Sequence, residues 1–388
     1  MISKIKLGEY VEILSGYAFK SNLFNDEKIG MPIIRIRDVS SGTLKTYYSG
    51  EYQEQYVINS GDLLITMDGE FKIKQWEAER GLLNQRVCKI SSSHEDLETE
   101  YLLYLLPTIL KKIEDRTAFV TVKHLSVKDI KETVITLPKI EVQRKIVQTL
   151  KLSEGLIAKR QSQITALDEL TQSVFLKMFF SDLRGEKMPF ESAILDLKYG
   201  TSEKSGNEGV PVLRIPNISD GIIDENDLKR CHFEEKTYES LKLQTNDLLF
   251  VRSNGNPNYV GRCAKVTEKQ QGYVYASYLI RAKIDINVVH PDFIVYYLNT
   301  DYGRREVLKM ASTSAGQYNI NTKGLKNLAI IVPLLDRQKE FVNFKKKIDA
   351  KKYSMEKSLN ELNNLFDSLL QRAFKGEIFQ EQTQCKHV

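Results

Sequence analysis

Long apolar runs are missing from this chain of 388 residues. None approaches the roughly 20 residues that a helix needs to cross a bilayer, so the sequence predicts no membrane span. Cysteine is scarce, and the four residues Cys88, Cys231, Cys263 and Cys385 lie far apart without a CxxC pair. The adjacent Cys231 and His232 cannot hold zinc alone. These absences exclude a disulfide scaffold and indicate a cytoplasmic protein without a structural metal.

Motifs for common chemistry are also missing. The five histidines form no Ser-His-Asp grouping, and neither a phosphate-binding P-loop nor a glycine-rich loop for S-adenosylmethionine follows a strand. The composition, 41% hydrophobic and 28% charged, is typical of a globular protein. The net charge of +5 lies mainly in residues 141–185 (7 Lys+Arg against 5 Asp+Glu) and 336–388 (11 against 8). This bias is compatible with a nucleic-acid partner but does not decide it.

The chain contains an internal repeat. TLPKIEVQRKIV (136–147) matches IVPLLDRQKEFV (331–342) at an offset of 195, and the same offset continues without a gap to Phe179 and Phe374. Within both copies, mainly apolar residues recur at alternating steps of four and three, which predicts two long helices with a coiled-coil seam. In the first copy the seam is Ile146, Leu150, Ser153, Ile157, Arg160, Ile164, Leu167, Thr171, Val174 and Met178. In the second it is Phe341, Lys345, Ile348, Lys352, Met355, Leu359, Leu362, Phe366, Leu369 and Ala373.

The blocks before these helices are related more loosely. MPIIRIRDVSSG (31–42) resembles VPVLRIPNISDG (210–221), and SGDLLITMDG (60–69) resembles TNDLLFVRSNG (245–255); both pairs are predicted to be strands. EYLLYLL (100–106) and DFIVYYL (292–298) are predicted to begin helices. The expected fold is α+β, with two similar mixed α/β domains separated by long helices that pack as an antiparallel coiled coil with a pseudo-twofold relation. A helical hairpin that only oligomerises would not need the two duplicated blocks. The predicted bounds are 1–140 and 186–335 for the domains, 141–185 and 336–380 for the helices, and 381–388 for a tail.

This order of domain, helix, domain, helix resembles the specificity subunits of type I restriction-modification systems over residues 1 to about 380. The sharpest local match is LNNLFDSLLQRAFKGEI (362–378), followed by LPKIEVQ (137–143) and VPLLDRQ (332–338), which lack the second proline of the commonest family pattern. The resemblance implies a non-catalytic subunit whose two target-recognition domains each read one half of a split DNA site. The helices would set the spacing and dock two adenine methyltransferase subunits, with restriction subunits as possible further partners. S-adenosylmethionine, ATP and Mg²⁺ would belong to those partners alone.

The alternative is a single-chain adenine methyltransferase or nuclease with built-in recognition, and the two local patterns that could support it are incomplete. NPNY (256–259) is similar to the NPPY of adenine methyltransferases but lacks the second proline. Asp62 with Glu70 and Lys72 has a spacing that a metal-dependent nuclease could use, yet the second block offers no matching carboxylate and lysine. Asp62 is more simply interpreted as a turn residue that opens the following strand.

Base edges are read by side chains with several hydrogen-bonding groups, so loop Arg, Lys, Asn and Gln are the candidates for DNA contact. Turn formation or ordinary surface exposure is the simpler interpretation of any one of them. The lysine run FKKKIDAKK (344–352) is better interpreted as a solvated helix face than as a phosphate track. The predicted DNA-binding residues are Lys72, Lys74, Asn84, Gln85, Arg86 and Lys123 in the first block, and Arg252, Asn254, Asn256, Asn258, Tyr259, Gln317, Tyr318 and Asn319 in the second.

Overall fold

The computed structural model describes residues 3–116, 123–180, 187–204, 206–219, 221–314 and 316–379. The chain divides into two compact units: unit 1 is Met1–Ser162 with Lys357–Val388, and unit 2 is Gln163–Glu356. The division falls inside both long helices, so each unit contains one α/β block and a part of each helix. The domain bounds from the sequence remain predictions.

The first α/β block and its helix comprise eleven strands, four α-helices and three short 3-10 helices in the described residues. The strands are β1 (Ser3–Lys6), β2 (Val11–Ser15), β3 (Phe24–Asn25), β4 (Met31–Ile34), β5 (Tyr47–Tyr48), β6 (Val57–Ile58), β7 (Leu63–Thr66), β8 (Ile73–Gln75), β9 (Gly81–Leu83), β10 (Val87–Ser92) and β11 (Val134–Leu137). The α-helices are α1 (Ile36–Ser41), α2 (Thr99–Arg116), α3 (Val127–Glu132) and α4 (Ile140–Phe179). The 3-10 helices are Leu7–Glu9, Ser21–Leu23 and Glu54–Tyr56.

The second α/β block and its helix have a similar inventory over their described residues. The strands are β12 (Lys187–Pro189), β13 (Ile194–Tyr199), β14 (Val210–Leu213), β15 (Ile218–Ser219), β16 (Ile222–Ile223), β17 (Lys229–Cys231), β18 (Leu248–Val251), β19 (Ser253–Asn254), β20 (Cys263–Lys265), β21 (Val274–Tyr275), β22 (Leu279–Ile284), β23 (Ser312–Ser314), β24 (Gln317–Asn319) and β25 (Ala329–Ile331). The α-helices are α5 (Glu235–Leu241), α6 (Pro291–Asn299), α7 (Asp301–Met310), α8 (Thr322–Lys326) and α9 (Leu335–Phe374). The 3-10 helices are Phe190–Ala193, Ile215–Asn217 and Glu268–Gln270.

The central sheets of the two units have the same topology. In unit 1 the order is β2-β10-β7-β8, with β1 and β11 as a separate pair. In unit 2 the order is β13-β22-β18-β20, with β12 and β25 as the pair. The flanking strands differ: unit 1 has a five-stranded sheet β3-β5-β4-β9-β6, whereas unit 2 has β17-β14-β21 and a small sheet β19-β24-β23 that follows β18. The structure thus confirms the duplicated scaffold with divergent connections.

The long helices follow the predicted seam. Every seam position named from the sequence is buried or half-buried, while most positions between them are exposed. In unit 2, Asp168 of α4 pairs with Lys352 of α9 at 2.7 Å, and Phe175 packs against Phe341 with ring centroids 5.1 Å apart. Later residues of α4 therefore meet earlier residues of α9, so the helices run antiparallel there. In unit 1, Ile146, Leu150 and Ala373 join the core beneath α2.

The strand prediction for the first related pair of segments was partly wrong. In VPVLRIPNISDG the strand β14 ends at Leu213, and a 3-10 helix follows at Ile215–Asn217. In MPIIRIRDVSSG the strand β4 ends at Ile34, and the remainder forms the helix α1. The Asp38 carboxylate accepts the backbone N–H of Arg35 at 3.0 Å, which caps the helix, and Gly42 ends it with φ 67°. This local hydrogen bond outweighs the β preference of the sequence. The described part of α4 ends at Phe179, and the predicted tail 381–388 and helix residues 181–185 lie outside the described residues.

Candidate nucleic-acid interface

Four segments meet at one end of the central sheet in unit 1. After β7, the backbone N–H of Met67 donates to the carbonyl of Arg86 at 2.8 Å, and that of Leu125 donates to the carbonyl of Met67 at 2.7 Å. The N–H of Gln85 donates to the carbonyl of Tyr17 at 2.9 Å. These bonds tie together the segments after β2, β7, β9 and α2. We call this set of backbone bonds the loop frame.

Unit 2 contains the same loop frame with different residues. The N–H of Arg252 donates to the carbonyl of Tyr278 at 2.9 Å, and that of Ile320 donates to the carbonyl of Arg252 at 2.9 Å. Ser277 donates to the carbonyl of Thr201 at 2.7 Å. The frame therefore equates Met67 with Arg252, Arg86 with Tyr278, and Leu125 with Ile320, although the residue types differ. Met67, Leu125 and Ile320 of the frame are buried, whereas Gln85, Arg86, Arg252 and Tyr278 beside them are exposed. A backbone arrangement built twice with different exposed side chains suits recognition of two different ligands.

The frame depends on glycine at one position in each unit. A Cβ on Gly16 would lie 2.0 Å from the carbonyl oxygen of Asn84, and one on Gly200 would lie 2.2 Å from that of Tyr275. Any larger residue would push the loop after β2 or β13 away from the neighbouring strand. The repeated glycine is a signal that the sequence comparison did not use.

In unit 2 most of the predicted DNA-binding residues lie together. Strand β19 pairs with β24 so that Asn254 is opposite Tyr318, and the Ser253 hydroxyl donates to Oε1 of Gln317 at 3.0 Å. Asn319 is opposite Ser253 in the same sheet. Arg252 directly precedes Ser253 in the chain. The small sheet therefore places Asn254, Gln317 and Asn319 beside the loop frame, whereas the half-buried Tyr318 packs against the core of unit 2.

The NPNY segment is held by local turn bonds. The Asn254 side chain accepts the N–H of Asn256, and the Asn256 side chain accepts the N–H of Asn258, both at 2.9 Å. The Arg262 guanidinium stacks on the Tyr259 ring, 3.9 Å from its centroid. Consecutive asparagine turns stabilise a polar surface loop, which supports a contact role better than a catalytic one.

In unit 1 three of the predicted residues surround the loop after β7. Lys72 pairs with Glu70 at 2.8 Å, and Lys123 pairs with Glu114 at 2.8 Å. The hydrogen bond from Lys123 lowers the pKa of Glu114. Arg86 is also there, with its side chain half exposed. We call these three cations the basic margin of the loop frame, and each of them is paired with a carboxylate.

Other predicted residues of unit 1 are placed less favourably for contact with DNA. Asn84 is 8% exposed and lies under the loop after β2, so it offers little surface to a ligand. Lys74 on β8 directs its ammonium to the carbonyl of Ser40 at 3.3 Å. Gln85 is exposed and belongs to the loop frame.

Sequence reasoning missed three side chains at the frame. His124 donates from Nδ1 to the Asp68 carboxylate at 2.6 Å, and Asp68 also lies 3.4 Å from Nε of Arg86. In unit 2, Tyr278 is 60% exposed at the position equivalent to Arg86. The offset of 195 already aligned His124 with Asn319, and this match could have brought His124 onto the list.

The nuclease alternative finds no support at Asp62. Its carboxylate accepts the N–H of Asn59 at 2.9 Å and pairs with Lys89 at 2.8 Å, which confirms the turn interpretation. Glu70 pairs with Lys72 instead. In the described ranges no group of three or more His, Cys, Asp or Glu residues is placed to hold a metal ion. No helix within the described part of the chain is long and apolar enough to span a membrane.

The family model for the type I restriction modification DNA specificity domain matches residues 2–166 and again 195–364. The EcoBI specificity subunit of Escherichia coli, a type I restriction enzyme component, is 29% identical over 97% of this chain and 86% of its own length. The S subunit of a type I restriction-modification system from M. genitalium is similar in structure, with a TM-score of 0.56, 15% identity and 96% of both chains covered. A chain from a study of complex assembly in the type I R-M system has a TM-score of 0.61 at 18% identity, with 97% of this chain and 98% of that one covered.

The two structural likenesses bear on the fold alone, and they agree with a duplicated α/β scaffold joined by long helices. The family match covers most of the chain and includes both blocks. The chain belongs to the type I restriction modification DNA specificity family.

Proposed function

We propose that this chain is the sequence-reading subunit of a type I restriction-modification complex and carries no catalytic activity of its own. The observation that carries the proposal is the loop frame, which is built twice from the same backbone bonds and bears different side chains in units 1 and 2. Two domains that share a scaffold but carry different surfaces fit a split DNA site whose halves differ in sequence. The alternative of a single-chain methyltransferase or nuclease is not favoured by the family match.

The DNA contacts are assigned to the exposed polar residues around each frame. Arg and Lys there would bind phosphates or guanine, whereas Asn and Gln would read adenine edges. In unit 2 the proposed contacts lie on the small sheet and the NPNY segment; in unit 1 they lie on the basic margin. The fourteen residues predicted from the sequence are retained as this proposal, with Asn84 the least accessible of them.

Chemistry would come from partner chains. Two methyltransferase subunits would dock on the long helices and supply S-adenosylmethionine, and restriction subunits would supply ATP and Mg²⁺ chemistry. The specificity subunit itself would need no cofactor. A role in reading DNA implies that the complex works in the cytoplasm.

A domain exchange tests the proposal. Residues 186–335 are replaced by the equivalent block of a relative with another target, the complex is reconstituted with methyltransferase subunits, and methylated sites are mapped by sequencing. One half-site should change while the other persists. The matched control replaces residues 1–140 and should change the opposite half. If either exchange altered both halves together, the blocks would not be independent readers.

A further inference from the structure

Arg86 has an unusual backbone for its residue type. Its φ is 76°, in the left-handed region where an L-residue with a Cβ is strained and glycine is not. It lies in the tight turn between β9 and β10, and its carbonyl accepts the N–H of Met67 in the loop frame. A position that favours glycine nevertheless carries a long cation, and strain of this kind is concentrated at functional sites.

The Arg86 side chain is held in place by a chain of two contacts. Asp68 lies 3.4 Å from Nε of Arg86, and the other Asp68 oxygen accepts from Nδ1 of His124 at 2.6 Å. Nη1 of Arg86 also lies 3.3 Å from Nδ1 of His124. Because a carboxylate only accepts, the Nδ1 proton lies toward Asp68, so Arg86 is oriented through Asp68 rather than by a bond to the imidazole.

The geometry leaves the outer part of the guanidinium for a ligand. The Arg86 side chain is 52% exposed, whereas that of Asp68 is 25% exposed. Nε lies toward Asp68 and Nη1 lies toward His124, while Nη1 and Nη2 keep N–H donors in the plane of the guanidinium. Two parallel N–H donors match O6 and N7 of guanine in the major groove, the commonest specific contact of arginine with DNA. A phosphate can accept the same pair of donors, and the difference between the two ligands is that only a guanine contact acts at a single base pair.

We propose that Arg86 is the residue of unit 1 that selects a guanine, and that Asp68 and His124 are positioning residues that fix its guanidinium plane. The inference rests on the proposed function and deepens it. In unit 2 the equivalent position holds Tyr278, with Ser253 and Asn319 in place of the Asp68–His124 pair. A tyrosine cannot present paired donors, so this position of the frame can make the guanine contact in unit 1 and not in unit 2.

The test uses the complex reconstituted with methyltransferase subunits and a DNA library in which both half-sites are randomised. In Arg86→Gly, discrimination at a single G·C pair of one half-site should fall by about 5- to 150-fold, which corresponds to the worth of one bidentate contact. The other half-site should be unchanged. Asp68→Asn should reduce discrimination at the same pair by less, because Arg86 remains but is no longer held by a charge.

Thermal unfolding supplies a readout that separates recognition from folding. Glycine relieves the strain at φ 76°, so Arg86→Gly should unfold at the same temperature as the wild type or a higher one while it loses discrimination. Lys28→Gly is the matched control: Lys28 is exposed, has φ 63° and lies in the loop between β3 and β4, away from the frame. It should gain stability without any change of target.

The following outcomes would contradict the assignment of Arg86. An unchanged motif in Arg86→Gly overturns the inference, and so does a uniform loss of affinity over all sequences, which would identify a phosphate contact. If Lys28→Gly shifted the motif in the same way, backbone strain rather than the side chain would be responsible. If the wild-type complex showed no sequence preference at all, the proposed function would fall, and this inference with it.

Discussion

The side-chain amide of Gln338 donates to the carbonyl of Pro333 at 2.7 Å, five residues earlier in the chain. Gln338 is fully buried; it also donates to the carbonyl of Val288 at 3.2 Å and accepts the N–H of His290 at 2.7 Å. Gln143 of unit 1 has the same pattern: its side-chain amide donates to the carbonyls of Pro138 and Asp96 and accepts the N–H of Glu98. One glutamine in each unit thus joins the start of a long helix to the loop before α2 or α6.

Replacing this glutamine should be costly. Gln338→Ala leaves one N–H and two carbonyls without partners in a buried place, and a loss of about 2–4 kcal/mol in the free energy of unfolding is expected. Gln143→Ala should cost a similar amount. Urea unfolding followed by circular dichroism measures both, with Gln148→Ala, at an exposed position on α4, as the control. A loss no larger than that of the control would show that water replaces the amide.

An aromatic cluster should dominate the stability of unit 2. Phe175 of α4 is fully buried, and its ring lies 4.9 Å from Tyr296 and 5.1 Å from Phe341, centroid to centroid. Phe175→Ala should reduce the free energy of unfolding by about 3–5 kcal/mol through lost burial and a cavity. Phe175→Leu, which keeps most of the volume, should lose less than half of that in the same urea titration. Equal losses would argue against the cavity as the cause.

His290 should make stability depend on pH. Burial lowers its pKa below 6.5, and its Nδ1 accepts the N–H of Asp292 at 3.2 Å at the start of α6, which needs the neutral ring. The unfolded chain therefore binds the proton more readily than the folded one. The stabilisation is fully present above about pH 6.5 and is lost as the pH falls through the lower folded pKa.

The measurement compares the wild type with His290→Asn, which keeps a capping side chain but does not titrate. The difference in unfolding free energy between the two should move in favour of the variant from pH 8 to pH 5. A difference that stayed constant over this range would mean that His290 has the same pKa in both states.

Lengthening α4 should lengthen the unread spacer of the DNA site, if the helices set that distance. Four residues inserted at Gln161 add about 6 Å of helix and just over one turn, so the seam is nearly kept. A spacer longer by one or two base pairs, with both half-sites unchanged, is expected from methylation mapping. A two-residue insertion turns the seam by about 200° and should abolish activity. An active four-residue mutant with its original spacer would show that another element is the ruler.

Sequence patterns were sufficient for the helices, the repeat and the family because each depends on residues that are near in the chain or related by a constant offset. The seam of α4 and α9 is local periodicity, and Pro138 and Gln143 recur at Pro333 and Gln338 in the same register. Within MPIIRIRDVSSG local reasoning failed, because a single Asp38 hydrogen bond favours a helical turn over the strand that the residue types suggest.

The loop frame was decided by tertiary structure. Tyr17, Met67, Arg86 and Leu125 lie in four separate segments, and only the sheet order β2-β10-β7 brings their backbones within hydrogen-bonding distance. Arg86 was predicted to contact DNA because it is an arginine in a loop. The sequence could not show that Asp68 and His124 orient its side chain, because contact between distant segments depends on strand register and not on residue type. The sequence determined that the chain contains two copies of one domain; the fold decided which side chains lie at the loop frame of each.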